Sequence, residues 1–156
     1  MVARSDSPGV RFPPPLLYAL AVAGGWLLHR RQPLPIGSAR TAITAGAWLL
    51  VACWAGLAGS AIGLFRRKQT SIITVRPAST LVSSGPYKFT RNPMYVSLAL
   101  LTLAFALFLN TWWVVVFLVP ALLAVQRFVI VPEEKYLRRR FGADYEAYTR
   151  RVRRWL

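Results

Sequence analysis

Acidic residues are scarce in this sequence: five Asp and Glu stand against twenty Lys and Arg, a formal net charge of +15. Four of the five fall between Pro132 and Tyr148, so carboxylate chemistry has one main address. The single cysteine, Cys53, lies deep in an apolar run and has no partner, which excludes a disulfide framework and any cysteine-based metal spacing. The single histidine, His29, stands beside Arg30 and Arg31 and reads as a membrane-interface residue. Catalysis by a Ser-His-Asp set is absent, as are a P-loop and a GxGxxG turn.

Apolar residues are abundant. They make up 55% of the chain, mean hydropathy is +0.41, and they come in long runs. That pattern is expected of an integral membrane protein rather than a soluble domain. The cations sit mostly in the gaps between runs and in the C-terminal segment, where cytoplasmic loops carry them. Contact with anionic membrane lipid is therefore expected, and nucleic acid is not.

In chain order, the stretch 1–15 holds a run of three prolines and is expected to be disordered. Leu16 to Leu28 is apolar but short, so a span here must borrow Pro14, Pro15 or His29. Ala21-Val22-Ala23 mimics a signal-peptidase site, but too few apolar residues precede it for a cleaved signal. Thr41 to Phe65 is the clearest span, and the region 16–65 is expected to hold two transmembrane helices. Ala55, Gly59 and Gly63 recur four apart, a small-residue face suited to close helix packing or to a homodimer.

The region 66–93 reads as a long, ordered loop with Pro77 and Pro86 as breakers; Ile72 to Val75 could be a short strand-like piece. A hairpin follows over 94–131, with spans at Met94 to Leu109 and Trp112 to Val131. Its tip, Asn110-Thr111, carries no charge, and its flanks are cationic, so both flanks are expected to face the cytoplasm. The loop with Arg30, Arg31 and Arg40 is then external. Residues 132–156 read as an amphipathic cytoplasmic helix broken or bent at Gly142, with Leu137, Phe141, Tyr145, Tyr148, Val152 and Trp155 as its apolar stripe. The fold class is all-α, with about four transmembrane helices in a single membrane domain.

Two polar segments should meet at the cytoplasmic end: GPYKFTRNPMY, from Gly85 to Tyr95, and PEEKYLRRRFGADYEAY, from Pro132 to Tyr148. Asn92 and Pro93 are suited to cap and start a helix, and a helix start also suits an anionic group. Glu133 shares the stripe of Leu137 and Phe141, where an unpaired carboxylate is costly, so it needs a cationic, hydrogen-bonding or ligand partner. Arg127 and Arg91 are the structural candidates for that partner. Glu134 stands four before Arg138 and is expected to face solvent. Tyr87, Tyr95, Tyr145 and Tyr148 gather in the same two segments, which suggests a pocket for a flat or cationic ligand.

These two motifs, separated by an apolar hairpin, resemble the C-terminal half of the isoprenylcysteine carboxyl methyltransferase family, itself similar to the phospholipid N-methyltransferases. The resemblance covers roughly Ser79 to Tyr148 and implies a membrane enzyme that uses S-adenosyl-L-methionine on a lipophilic carboxylate, thiol or amine. By matching position it implies cofactor contacts from Ser79, Thr80, Leu81, Val82, Tyr87, Asn92, Pro93, Met94, Tyr95 and Glu133. Eukaryotic members have His at the position of Asn92. Where they place an Arg for substrate this chain has Val129, and Arg127 is the nearby cation that could replace it. No acid or base is assigned, because transfer from a sulfonium needs positioning and a dry site more than proton transfer. An NADPH-dependent steroid-type membrane reductase and a non-enzymatic membrane scaffold are the alternatives.

Overall fold

The computed structural model describes residues 13–67 and 81–156. The described residues are helical and contain no strand. Helices α1 (Pro14–Arg31), α2 (Arg40–Arg67), α3 (Pro93–Phe108), α4 (Trp112–Val125) and α5 (Val131–Arg151) follow in order. A 3-10 turn, Gly85–Lys88, precedes α3, and a π-helical turn, Gln126–Ile130, joins α4 to α5. The expected strand-like piece Ile72 to Val75 lies outside the described residues.

Two stretches are long and apolar enough to cross a membrane: Arg40–Leu64, and the continuous helix over Trp112–Arg151. Helix α3 is apolar throughout but has 16 residues, fewer than the roughly 20 that span a bilayer core upright. Helix α1 begins at Pro14, which corrects the expectation of disorder through residue 15. Proline is favoured at a helix start because its missing N–H would be unbonded there anyway.

Helix α2 lies against α3, α1 against α4, and α3 touches both α4 and α1. The α1–α4 crossing is close at Gly25, where a Cβ would come within 2.6 Å of the Val114 backbone. Only glycine leaves room for that approach. A core of Tyr18, Tyr95, Leu118, Val125, Val129 and Ile130 fills the space between α1, α3 and α4. On α2, by contrast, Ala55 and Gly59 are exposed, and a Cβ on Gly59 or Gly63 would meet nothing within 4 Å.

The hairpin tip is fastened to the α1–α2 connection. Asn110 Oδ1 accepts from the N–H groups of Ile36 and Gly37, both at 3.2 Å, and Trp113 Nε1 donates to the Gln32 carbonyl at 2.7 Å. These two connections therefore share one end of the bundle. Residues 81–92 and the C-terminal segment share the other.

Two features differ from the sequence reading. The helix does not stop between Val131 and Pro132. Pro132 has no N–H and its ring crowds the carbonyl four residues earlier, and the wider π-helical turn just before it, closed by Val131 N–H on the Gln126 carbonyl, lets the helix continue. At the far end α5 stops at Arg151, and Val152 is extended. Trp155 is thus not on the helical stripe; it folds back against the core and donates to Gln126 Oε1 at 2.8 Å. The bend at Gly142 is present, with φ 49° and ψ −123° inside α5.

Candidate functional site

Helix α3 starts where the sequence places it, with Asn92 at the cap position and Pro93 buried in the first turn. The Asn92 carbonyl accepts from the N–H groups of Tyr95 and Val96, each at 3.0 Å. Its side chain does not cap the helix, which corrects the expected N-cap role. The amide is drawn instead to the C-terminal segment: Asn92 Nδ2 donates to the Arg154 carbonyl at 2.8 Å, and Thr90 Oγ1 donates to the same oxygen at 3.2 Å.

One turn into α3, the Tyr95 hydroxyl donates to Glu133 Oε2 at 3.0 Å. Part of Glu133 stays accessible, but protein closely surrounds its carboxyl. That burial pushes the carboxyl up to about 7; the Tyr95 hydrogen bond opposes the shift, and the neighbouring Glu134 adds to it. Glu133 is thus a carboxylate held near neutrality by its surroundings, with one hydrogen bond from a buried tyrosine.

Glu134 is buried, not solvent-facing, and its partner is not Arg138, which is exposed. Both its oxygens accept from Arg154, Nε at 2.9 Å and Nη2 at 2.8 Å, and Arg91 Nη1 stands 3.2 Å from Oε1. The extended backbone after α5 makes this possible by turning Arg154 back along the helix. Arg91, a structural candidate for Glu133, therefore pairs with its neighbour. Its Nε is the one sealed side-chain nitrogen or oxygen without a hydrogen-bond partner among the described residues.

The tyrosines assemble around these carboxylates. Tyr148 donates its hydroxyl to the Tyr87 carbonyl at 2.8 Å, which joins the 3-10 turn to α5. Burial raises the Tyr87 hydroxyl well above its ordinary range, and Glu133 and Tyr148 raise it further. Tyr145 is likewise raised, by burial first and then by Glu134, with Arg91 opposing. These hydroxyls stay protonated at neutral pH and act as donors, not bases.

Of the residues expected at a cofactor site, Tyr87, Val82 and Met94 cluster with Ala61 and Leu64 of α2. Leu81 joins Tyr145, Tyr148, Val152, Leu137 and Phe141. With Asn92, Pro93, Tyr95 and Glu133, they form one continuous region at the end of the bundle away from the hairpin tip. Ser79 and Thr80 lie outside the described residues. Arg127 is exposed on the π-helical turn, and no described interaction ties it to Tyr95 or Glu133. Val129 is fully buried in the core. Sequence reasoning missed the pairing of buried Glu134 with Arg154; the clustering of four acids beside a basic terminus was the available signal.

The family signature of phospholipid methyltransferases matches residues 41–144 of the chain. An uncharacterized protein of Haemophilus influenzae is 40% identical over 63 residues, which is all of that protein and 40% of this chain. No solved structure matches.

Proposed function

Because the chain belongs to the phospholipid methyltransferase family, we propose that it is an S-adenosyl-L-methionine-dependent methyltransferase of the membrane whose acceptor is a lipophilic carboxylate, thiol or amine. The observation that carries this reading is the Tyr95–Glu133 pair, set among buried tyrosines in the segments that match by motif. The donor set suits the cofactor. An ionised Glu133 can accept from ribose hydroxyls or an ammonium, and tyrosine faces suit a sulfonium.

The cofactor would be held by Tyr87, Asn92, Tyr95 and Glu133 and would supply an electrophilic methyl, whose bond to sulfur would break as the acceptor bonds to it, with S-adenosylhomocysteine as the leaving group. The chain's part is to hold and to exclude. Tyr95 orients the Glu133 carboxyl through one hydrogen bond, Tyr148 fixes Tyr87, and the packed aromatic side chains keep water from the reacting centre. A thiolate or carboxylate arrives already ionised and needs no base. Arg127, close to the bilayer end of α4, is the cation available for an acidic substrate group.

In this reading the site faces the cytoplasm, α1, α2, α3 and α4 each cross the bilayer, and residues 132–156 lie at the interface with their arginines towards anionic lipid. Helix α3 is short and crosses where the membrane adapts to it. The family match favours methyl transfer over the reductase and scaffold alternatives. The direct test incubates purified protein in lipid nanodiscs with methyl-labelled S-adenosylmethionine and a lipid extract. Label should appear in the organic phase; transfer no greater than in protein-free nanodiscs would refute the reading.

A further inference from the structure

The side-chain amide of Asn92 is oriented by a group that can only accept. The Arg154 main-chain carbonyl faces Asn92 at 2.8 Å and Thr90 Oγ1 at 3.2 Å. A carbonyl has no hydrogen to give, so the Asn92 atom opposite it must be the NH2, and the amide cannot be flipped. Its Oδ1 is thereby turned away from the C-terminal segment, and no described residue donates to it.

That carbonyl is itself held in place. The Arg154 guanidinium takes both oxygens of Glu134, at 2.9 and 2.8 Å, the bidentate geometry in which arginine is most firmly held. The Arg91 N–H donates to the Arg153 carbonyl at 2.9 Å, and Trp155 is tied to Gln126 at 2.8 Å. Three separate elements thus hold Arg153, Arg154 and Trp155, in a segment that has no helical structure of its own.

We propose that the segment 152–156 is a positioning element of the active site: Arg154, locked by Glu134, sets the Asn92 amide so that Oδ1 accepts a hydrogen bond from an N–H donor of bound S-adenosylmethionine. The inference rests on the cofactor reading above. An amide oxygen that cannot rotate can only accept, so it suits an ammonium or an exocyclic amine and opposes a carboxylate. Asn92 is then a binding residue, and Arg154 and Glu134 act through it.

The test compares variants of the full chain in detergent. Asn92→Asp sets a carboxylate oxygen against the carbonyl with nothing to share. Asn92→His can donate one ring N–H to the carbonyl and keep the other nitrogen as acceptor. In calorimetry with S-adenosylhomocysteine, affinity should fall at least about tenfold in Asn92→Asp, fall several-fold in Arg154→Ala, and stay within about threefold in Asn92→His. Without ligand, Asn92→Asp should lower the melting temperature more than Asn92→His does. Unchanged affinity in Asn92→Asp or in Arg154→Ala overturns the proposal. If wild-type protein binds no S-adenosylhomocysteine, the cofactor reading and the donor half of the inference fall together. The fixed amide is then decided by melting alone, and Asn92→Asp melting like the wild type removes it.

Discussion

Tyr95 and Glu133 stand 38 positions apart in the chain, and the tyrosine hydroxyl meets the Glu133 carboxyl at 3.0 Å. The bond ties the start of the apolar hairpin to the helix that leaves it. It also sets the charge of the site, because it partly offsets a burial that would otherwise keep Glu133 neutral to still higher pH.

The pH dependence follows from the direction of that shift. The Glu133 carboxyl is raised from 4.5 to about 7, so the folded protein holds a proton that the unfolded chain has lost. Its contribution to stability is fully present below about pH 4.5 and is lost as pH rises through 7, the reverse of a salt-bridged carboxylate. Binding that needs the ionised form runs the other way and strengthens as pH passes through 7. Melting curves and S-adenosylhomocysteine titrations from pH 5 to 8.5 should show opposite slopes in wild type, and Glu133→Gln should flatten both. Tyr95→Phe, which removes the opposing hydrogen bond, should move the binding midpoint to higher pH.

Glu134→Gln is expected to destabilise the fold. It would leave the Arg91 guanidinium, nearly buried, and the Arg154 guanidinium, about one-third exposed, without their shared carboxylate. Removing one member of a buried pair is far costlier than losing a surface pair, and the partial exposure of Arg154 reduces the loss to about 2 kcal/mol. Denaturant unfolding in detergent checks it; a change within a few tenths of a kcal/mol would mean that the pair is solvent-screened.

At Gly142 the surroundings are open, yet substitution should be harmful. A Cβ would meet nothing within 4 Å, but φ 49° with ψ −123° is a backbone state that L side chains rarely adopt. Gly142→Ala should cost about 1–3 kcal/mol by strain alone. It should also weaken cofactor binding, since this bend directs Tyr145 and Tyr148 onto Leu81 and the 3-10 turn. A variant that melts like the wild type would show that the bend relaxes freely.

Much of the site was legible in the sequence because helical spacing is a local property. Glu133 falls on the stripe of Leu137 and Phe141, and Asn92-Pro93 marks the start of α3. The failures share a cause, namely chain reversal, which no periodicity encodes. Glu134 looked solvent-facing because its local neighbour is Arg138, whereas its partner is Arg154, reached only once α5 has ended and the backbone has turned back. Asn92 looked like a side-chain cap because the same reversal, which brings in the Arg154 carbonyl, is invisible locally. The π-helical turn before Pro132 escaped notice because proline at that point reads equally well as a new helix start.

Membrane sidedness can be tested on Lys88 and Arg150. Each lies within two positions of the Tyr148–Tyr87 hydrogen bond, so the fold requires both on one side of the bilayer. In a Cys53→Ala background, single cysteines at the two positions should react equally with an impermeant maleimide in sealed vesicles of either orientation. Opposite labelling would contradict the hairpin.

The central claim is that Glu133, held by Tyr95, binds the cofactor. Calorimetric titration of purified protein with S-adenosylhomocysteine at pH 8, wild type beside Glu133→Gln, tests it most directly. The account predicts saturable binding by the wild type and a loss of at least about tenfold, or roughly 1.4 kcal/mol, in the variant. Equal affinity in the two proteins, or binding of NADPH in place of S-adenosylhomocysteine, would contradict it.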